Sequence, residues 1–134
     1  MVAFDVGEII KNGGTTLRLL GENLSHSKEV GGDYWYFPLL LDRTLLVVES
    51  QLSAELEKFV LKNSAELLKR GRYLGVWFNP KDERYYLDIN VRDKTEVGAL
   101  KTVTDINKSS SRKILAIYNP TKDKILSIGG AQMR

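Results

Sequence analysis

The sequence predicts an α+β fold, a mainly antiparallel sheet with a long helix packed on one face, and three observations carry that prediction. An aromatic-Asn-Pro turn occurs twice. Phe78-Asn79-Pro80-Lys81-Asp82-Glu83-Arg84 leads into Tyr85-Tyr86-Leu87-Asp88-Ile89, and Tyr118-Asn119-Pro120-Thr121-Lys122-Asp123-Lys124 leads into Ile125-Leu126-Ser127-Ile128. Each copy joins two apolar runs through a short charged stretch, which marks a β-hairpin. Between the two lies a segment of helical spacing, and a longer one precedes them. The C-terminal half therefore reads ββαββ.

The elements follow in order. Asp5 to Lys11 reads as a short helix, and Asn12-Gly13-Gly14 stops it with a left-handed glycine. Thr15-Thr16-Leu17-Arg18-Leu19-Leu20 is a strand that Gly21 ends. Residues 21–33 are polar and glycine-bearing, hence a surface loop. Tyr34-Trp35-Tyr36-Phe37 is strongly β-prone and stops at Pro38. Arg43 to Glu49 holds a continuous apolar run expected of a buried strand. Ser53 then caps the longest helix, which runs to Arg70 before Gly71, with Leu56, Phe59, Val60, Asn63 and Leu67 on one face.

Two strands, Tyr73–Phe78 and Tyr85–Val91, form the first hairpin. On the second of these, Tyr85, Leu87, Ile89 and Val91 share one face. Tyr86, Asp88 and Asn90 share the other, which is expected to be wetter. Asp93-Lys94-Thr95-Glu96 matches a capping box for the next helix, whose apolar face is Val97, Leu100, Val103 and Ile106. A polar serine loop, Asn107 to Arg112, leads to the second hairpin, and Gly129-Gly130 closes the fold. No linker separates the halves, so the 134 residues read as one domain. Residues 1–50 supply a short helix and strands, 53–70 the long helix, and 73–128 the hairpin–helix–hairpin. The hairpins form a four-stranded sheet of their own, or the N-terminal strands extend it.

Composition narrows the chemistry. An apolar fraction of 43% and a charged fraction of 28% are those of a globular chain. The absence of cysteine removes disulfides, thiolate zinc sites and cysteine nucleophiles. No segment approaches the ~18 apolar residues that span a bilayer, and Met1-Val2-Ala3-Phe4-Asp5 shows no secretory signal. The expectation is a cytoplasmic protein or a particle assembled in a cytoplasm. Net charge is +3, with 4 Lys/Arg against 7 Asp/Glu in residues 1–50 and 16 against 10 in residues 51–134.

Residues that carry chemistry are sparse. His26, the single histidine, sits in Ser25-His26-Ser27 within a polar stretch and reads as a surface residue, since a general base needs an orienting acid and a nucleophile. Asp82-Glu83 and Asp88 with Asn90 are oxygen donors of the type that hold a divalent cation. They occupy a turn and a strand face, where solvation and strand hydrogen bonding explain them. Gly13-Gly14 lacks the lysine and the following helix of a phosphate cradle. No catalytic, cofactor or metal residue is therefore assigned.

Residues 72–128 resemble a small module of uncharacterised bacteriophage, actinobacterial and mobile-element proteins. Its outline is Gly-x-Trp, Asn/Asp-Pro, Tyr-x-Asp and a closing Ala-Ile-Tyr, met here by Gly75-Val76-Trp77-Phe78-Asn79-Pro80, Tyr86-Leu87-Asp88 and Ala116-Ile117-Tyr118. The resemblance implies a phage or mobile-element origin and no catalytic activity. The expected function is that of a non-enzymatic structural or interaction protein of a bacteriophage, a component of the virion, which meets protein subunits through Tyr34, Trp35, Tyr36, Phe37, Trp77 and Tyr86. Both faces of the Tyr34–Phe37 strand need apolar cover, and one small domain rarely supplies it twice. The alternative is a small basic accessory factor that binds nucleic acid or a nucleic-acid enzyme, with Lys108, Arg112 and Lys113 on phosphates.

Overall fold

The structure, a computed structural model, describes residues 4–20, 26–30 and 32–128. The fold is α+β, built on an antiparallel sheet. Its residues gather into two compact units, Met1–Val30 with Arg43–Ile89 and Gly31–Asp42 with Asn90–Arg134. Gly21 and Gly129-Gly130, expected to end a strand and the fold, lie outside the described residues, as does the side chain of His26.

In the first unit, α1 (Val6–Asn12) starts at Asp5, whose carboxylate accepts the Glu8 amide at 3.1 Å, and stops at Gly13 with φ 77. The chain turns at once into β1 (Gly14–Leu20). Gly14 has φ 148, and a Cβ there would lie 2.2 Å from the Val76 carbonyl oxygen, so the start of β1 accepts only glycine. β1 pairs antiparallel with β2 (His26–Glu29), and on its other side with β5 (Tyr73–Asn79), where Leu17 opposes Leu74. β6 (Arg84–Asp93) follows β5 across the first hairpin. β4 (Leu45–Val47) lies on β6, with Leu45 opposite Leu87 and Val47 opposite Tyr85. α2 (Leu52–Lys62) packs against β4 and buries Leu52, Leu56, Phe59 and Val60. Arg18 ties this unit together, its guanidinium donating to the carbonyls of Lys69 and Arg72 at 2.7 and 2.9 Å.

Several expectations need correction here. The helix foreseen from Ser53 to Arg70 begins at Leu52 after a 3-10 turn, Glu49–Gln51, and gives way at Asn63. A separate single turn, α3 (Ser64–Leu67), follows. Asn63 is buried, and its side-chain amide donates to the Phe59 carbonyl at 2.9 Å. A side chain that bonds the preceding turn competes with the helical ladder and bends it. The stretch foreseen as a loop contains β2, whose polar residues carry no apolar alternation and form a strand through pairing with β1. The buried strand foreseen over Arg43 to Glu49 shrinks to β4, in which only Val47 is buried.

In the second unit, β3 (Trp35–Leu39), β7 (Ala116–Asn119) and β8 (Lys124–Ser127) form the sheet with the end of β6, in the order β6-β3-β7-β8. The N-terminal strands thus join the sheet, the second of the two arrangements the sequence left open. Pro38 lies inside β3 rather than ending it. Proline cannot donate to a ladder, and the registered pair with β7, Tyr36–Tyr118, lies two residues before it. α4 (Glu96–Ser109) packs on β3. Trp35, Phe37, Leu41, Ala99, Val103, Ile114 and Ile117 form the core beneath it, with Leu100 and Ile106 packed against them. The cap of α4 is Thr95, whose hydroxyl accepts the Gly98 amide at 3.0 Å, while Asp93 accepts the Thr95 amide at 2.9 Å. The cap therefore lies two residues beyond the foreseen Asp93, and because the third helical position is Gly98 the reciprocal bond of a capping box is replaced by the Asp93 carboxylate. Val97, expected on the apolar face, is 77% exposed, and Ala99 takes its place in the core.

Candidate functional site

The two hairpin turns share one construction. Asn79 and Asn119 are both buried, and the side-chain oxygen of each accepts a backbone amide inside the turn, from Lys81 at 3.0 Å and from Lys122 at 3.1 Å. Each turn then needs a left-handed residue four places on, Glu83 at φ 56 and Asp123 at φ 47. Asn bonding back to the chain and Pro presetting the next φ explain why the pattern recurs. The second turn is braced further. Asn119 donates its side-chain amide to Asp33 at 2.8 Å, Lys122 approaches the same carboxylate at 3.8 Å, and the Lys122 ammonium lies 6.0 Å from the Trp35 ring centre.

In the second unit, that bracing orients a row of side chains across the sheet. Tyr36 opposes Tyr118, and Tyr118 opposes Ile125. Directly opposed residues share a face, so these three form one row, while Trp35, Phe37, Ile117 and Leu126 take the opposite face and enter the core under α4. Exposure rises along the row from 2% at Tyr36, through half-buried Tyr118, to 51% at Ile125. Arg92 guards the inner end. Its guanidinium carbon sits 3.8 Å from the Tyr34 ring centre, and one nitrogen donates to the Tyr36 hydroxyl at 3.1 Å. This stacked, bonded arginine fixes both rings.

The expected contact residues thus divide. Trp35, Tyr36 and Phe37 are each no more than 3% exposed, and they are interior residues of the chain rather than contact area. Tyr34, Trp77 and Tyr86 are half-buried. In the first unit the Trp77 and Tyr86 rings pack with their centres 5.4 Å apart and their planes tilted by 59°, and Leu46, opposite Tyr86, is exposed. Tyr86 donates its hydroxyl to Asp82. Burial, and after it that carboxylate, hold the Tyr86 phenol above its ordinary pKa.

The face foreseen as wet is not. Asp88 and Asn90 are both buried, and Asp88 accepts the Thr44 hydroxyl at 2.7 Å. With Asp82 on Tyr86 and on the Arg84 amide, two of the acids considered as cation ligands, Asp82 and Asp88, are engaged in holding a turn and strands. Among the described residues no group of three or more His, Asp or Glu is placed to share an ion.

The basic residues also separate. Lys108 pairs with Asp105 at 3.7 Å. Lys113 folds onto the end of α4, where its ammonium donates to the carbonyls of Asn107 and Ser110. Asn107 grips Ile114 at both backbone groups, accepting its amide at 2.8 Å and donating to its carbonyl at 3.1 Å. The serine loop is therefore pinned at its base. Arg112 is exposed and lines a cleft of about 340 Å³ with Leu39, Leu40, Asp42, Ile106, Ser110 and Ser111. Two of the three basic residues are thus engaged within the chain.

Sequence reasoning missed Arg92, Tyr118 and Ile125, because their common row depends on strand register, which no local pattern specifies. Among the described residues no helix is long and apolar enough to cross a membrane. Comparison with family models, curated proteins and solved structures finds no match to this chain.

Proposed function

We propose that this chain works by contact with protein subunits rather than by a reaction, as a structural or interaction protein. In the setting implied by the Gly-x-Trp module, it belongs to a bacteriophage and takes part in the assembled particle. The observation that carries the reading is the row from Tyr36 through Tyr118 to Ile125, which ends in exposed apolar surface on the last strand of the second unit. Apolar area placed on a rigid strand, with its inner rings locked by Arg92, loses little freedom when covered, and that favours association. Light scattering on the chain, alone and co-expressed with the products of its neighbouring genes, tests this. The expected result is an oligomer or hetero-assembly that Ile125→Lys weakens while the melting temperature is kept. A dilution-stable monomer in every mixture contradicts it.

The second reading, a basic factor on nucleic acid, draws on Arg112 and the pinned serine loop. It requires retention on immobilised DNA or RNA that falls steeply with salt and with Arg112→Glu. The engagement of Lys108 and Lys113 within the chain makes it the weaker of the two.

A further inference from the structure

β8 stands at the open end of the strand order among the described residues. One hydrogen bond sets the phase of its backbone. The Ile128 amide donates to the Leu115 carbonyl at 2.9 Å, in register with the pairs Ala116–Ser127 and Ile117–Leu126. Hydrogen-bonded pairs alternate along an antiparallel ladder. Leu126 and Lys124 therefore turn their peptide groups toward β7. Ile125 and Ser127 turn their N–H and C=O groups outward, to the open edge. Side chains alternate as well. Ile125 and Ser127 lie on the face of Tyr118, and Lys124 and Leu126 on the face of Ile117.

Resting on the contact reading above, we infer that β8 accepts an extended segment of a partner protein as an added antiparallel strand. Four unshared backbone groups supply the pairing, and the side chains select the segment. Opposite Ser127 it carries a polar residue, opposite Leu126 and Ile125 two adjacent apolar residues, and opposite Lys124 an acid. The apolar pair extends the Ile117–Leu126 row on one face and the Tyr118–Ile125 row on the other. The acid meets an exposed ammonium. A second copy of this chain fits less well. Two-fold pairing of β8 with itself, centred on Ile125 or on Leu126, sets Lys124 against the copy's Leu126 or Ile128, an ammonium against an alkyl side chain. Lysine on an edge strand discourages self-pairing for this reason.

The test uses the full chain and short fluorescent peptides with a Thr-Val-Val-Glu core, read by anisotropy. The Glu peptide binds about five-fold tighter than its Thr-Val-Val-Lys counterpart, and Lys124→Glu reverses that order. N-methylation of the two peptide amides that face β8 abolishes binding, whereas methylation of the alternate amides leaves it intact. Ile125→Pro, which removes an outward N–H that bonds nothing in β7, keeps the fold and loses the peptide. Absence of binding at millimolar peptide overturns the inference, and so does binding indifferent to N-methylation or to Lys124→Glu. Association of the chain with its neighbours that survives Ile125→Pro would leave the contact function standing and remove β8 as its seat.

Discussion

Replacement of Asn119 with alanine is the sharpest test of how the second hairpin is held. Asn119 is fully buried and makes two bonds, accepting the Lys122 amide at 3.1 Å and donating to Asp33 at 2.8 Å. A neutral bond of the first kind is worth about 1 kcal/mol and a bond to a carboxylate about 1.5–3 kcal/mol. The Asp33 side chain is 61% exposed, so water replaces part of the second term. The expected loss is about 2–3 kcal/mol. Asn79 gives an internal comparison at the matching place in the first turn. It keeps the amide bond, from Lys81 at 3.0 Å, but its other contact is a 3.4 Å approach to the Tyr86 hydroxyl. Asn79→Ala should therefore cost only about 1–1.5 kcal/mol. Urea unfolding of both variants beside the parent chain measures the two losses. Equal losses, or a smaller one at position 119, would refute the argument that the Asp33 brace distinguishes the turns.

Other perturbations have equally definite outcomes. Gly14→Ala places a Cβ against the Val76 carbonyl at a backbone angle that only glycine tolerates, and thermal melting should show a loss of about 2–4 kcal/mol. Arg92→Ala removes the Tyr36 bond and the Tyr34 stack and should cost about 1–2 kcal/mol in denaturant unfolding. Arg92→Lys recovers less than half of that, because an ammonium cannot stack and bond in the same way. The Tyr86 phenol is raised by burial first and by Asp82 second. A folded-state value above the unfolded one means that its contribution to stability is present below the ordinary phenol pKa and is lost as pH rises through the folded value. Ultraviolet titration should show Tyr86 ionising late, and Asp82→Asn should bring it only part of the way back.

What the sequence revealed and what it hid have physical causes. The two Asn-Pro turns and the Gly13 stop were legible because each is a local bond or a local φ, and the structure has all of them in place. Neighbouring chain determined the rest. β2 is polar and becomes a strand only beside β1. Asn63 looked like one more residue on a helix face, but once buried it bonds Phe59 and bends the helix. Asp88 and Asn90 alternate as a solvent face would, yet both are covered, since alternation reports polarity and not what lies above the strand. Val97 keeps helical spacing with the core residues, but the helix is rotated so that Ala99 enters instead. Of the candidate site, the aromatic character of Tyr34 to Phe37 was visible, while the placing of Tyr36 in one row with Tyr118 and Ile125, and of Trp35 and Phe37 on the opposite face, required the strand register.

Amide hydrogen exchange along the last strand, read by NMR, tests the central claim most directly. In the isolated chain the Ile125 and Ser127 amides should exchange fast while Leu126 and Ile128 are protected, and addition of the interacting subunit should slow Ile125 and Ser127 selectively. Uniform protection of all four in the isolated chain, or no change at Ile125 and Ser127 in the assembly, would contradict the account.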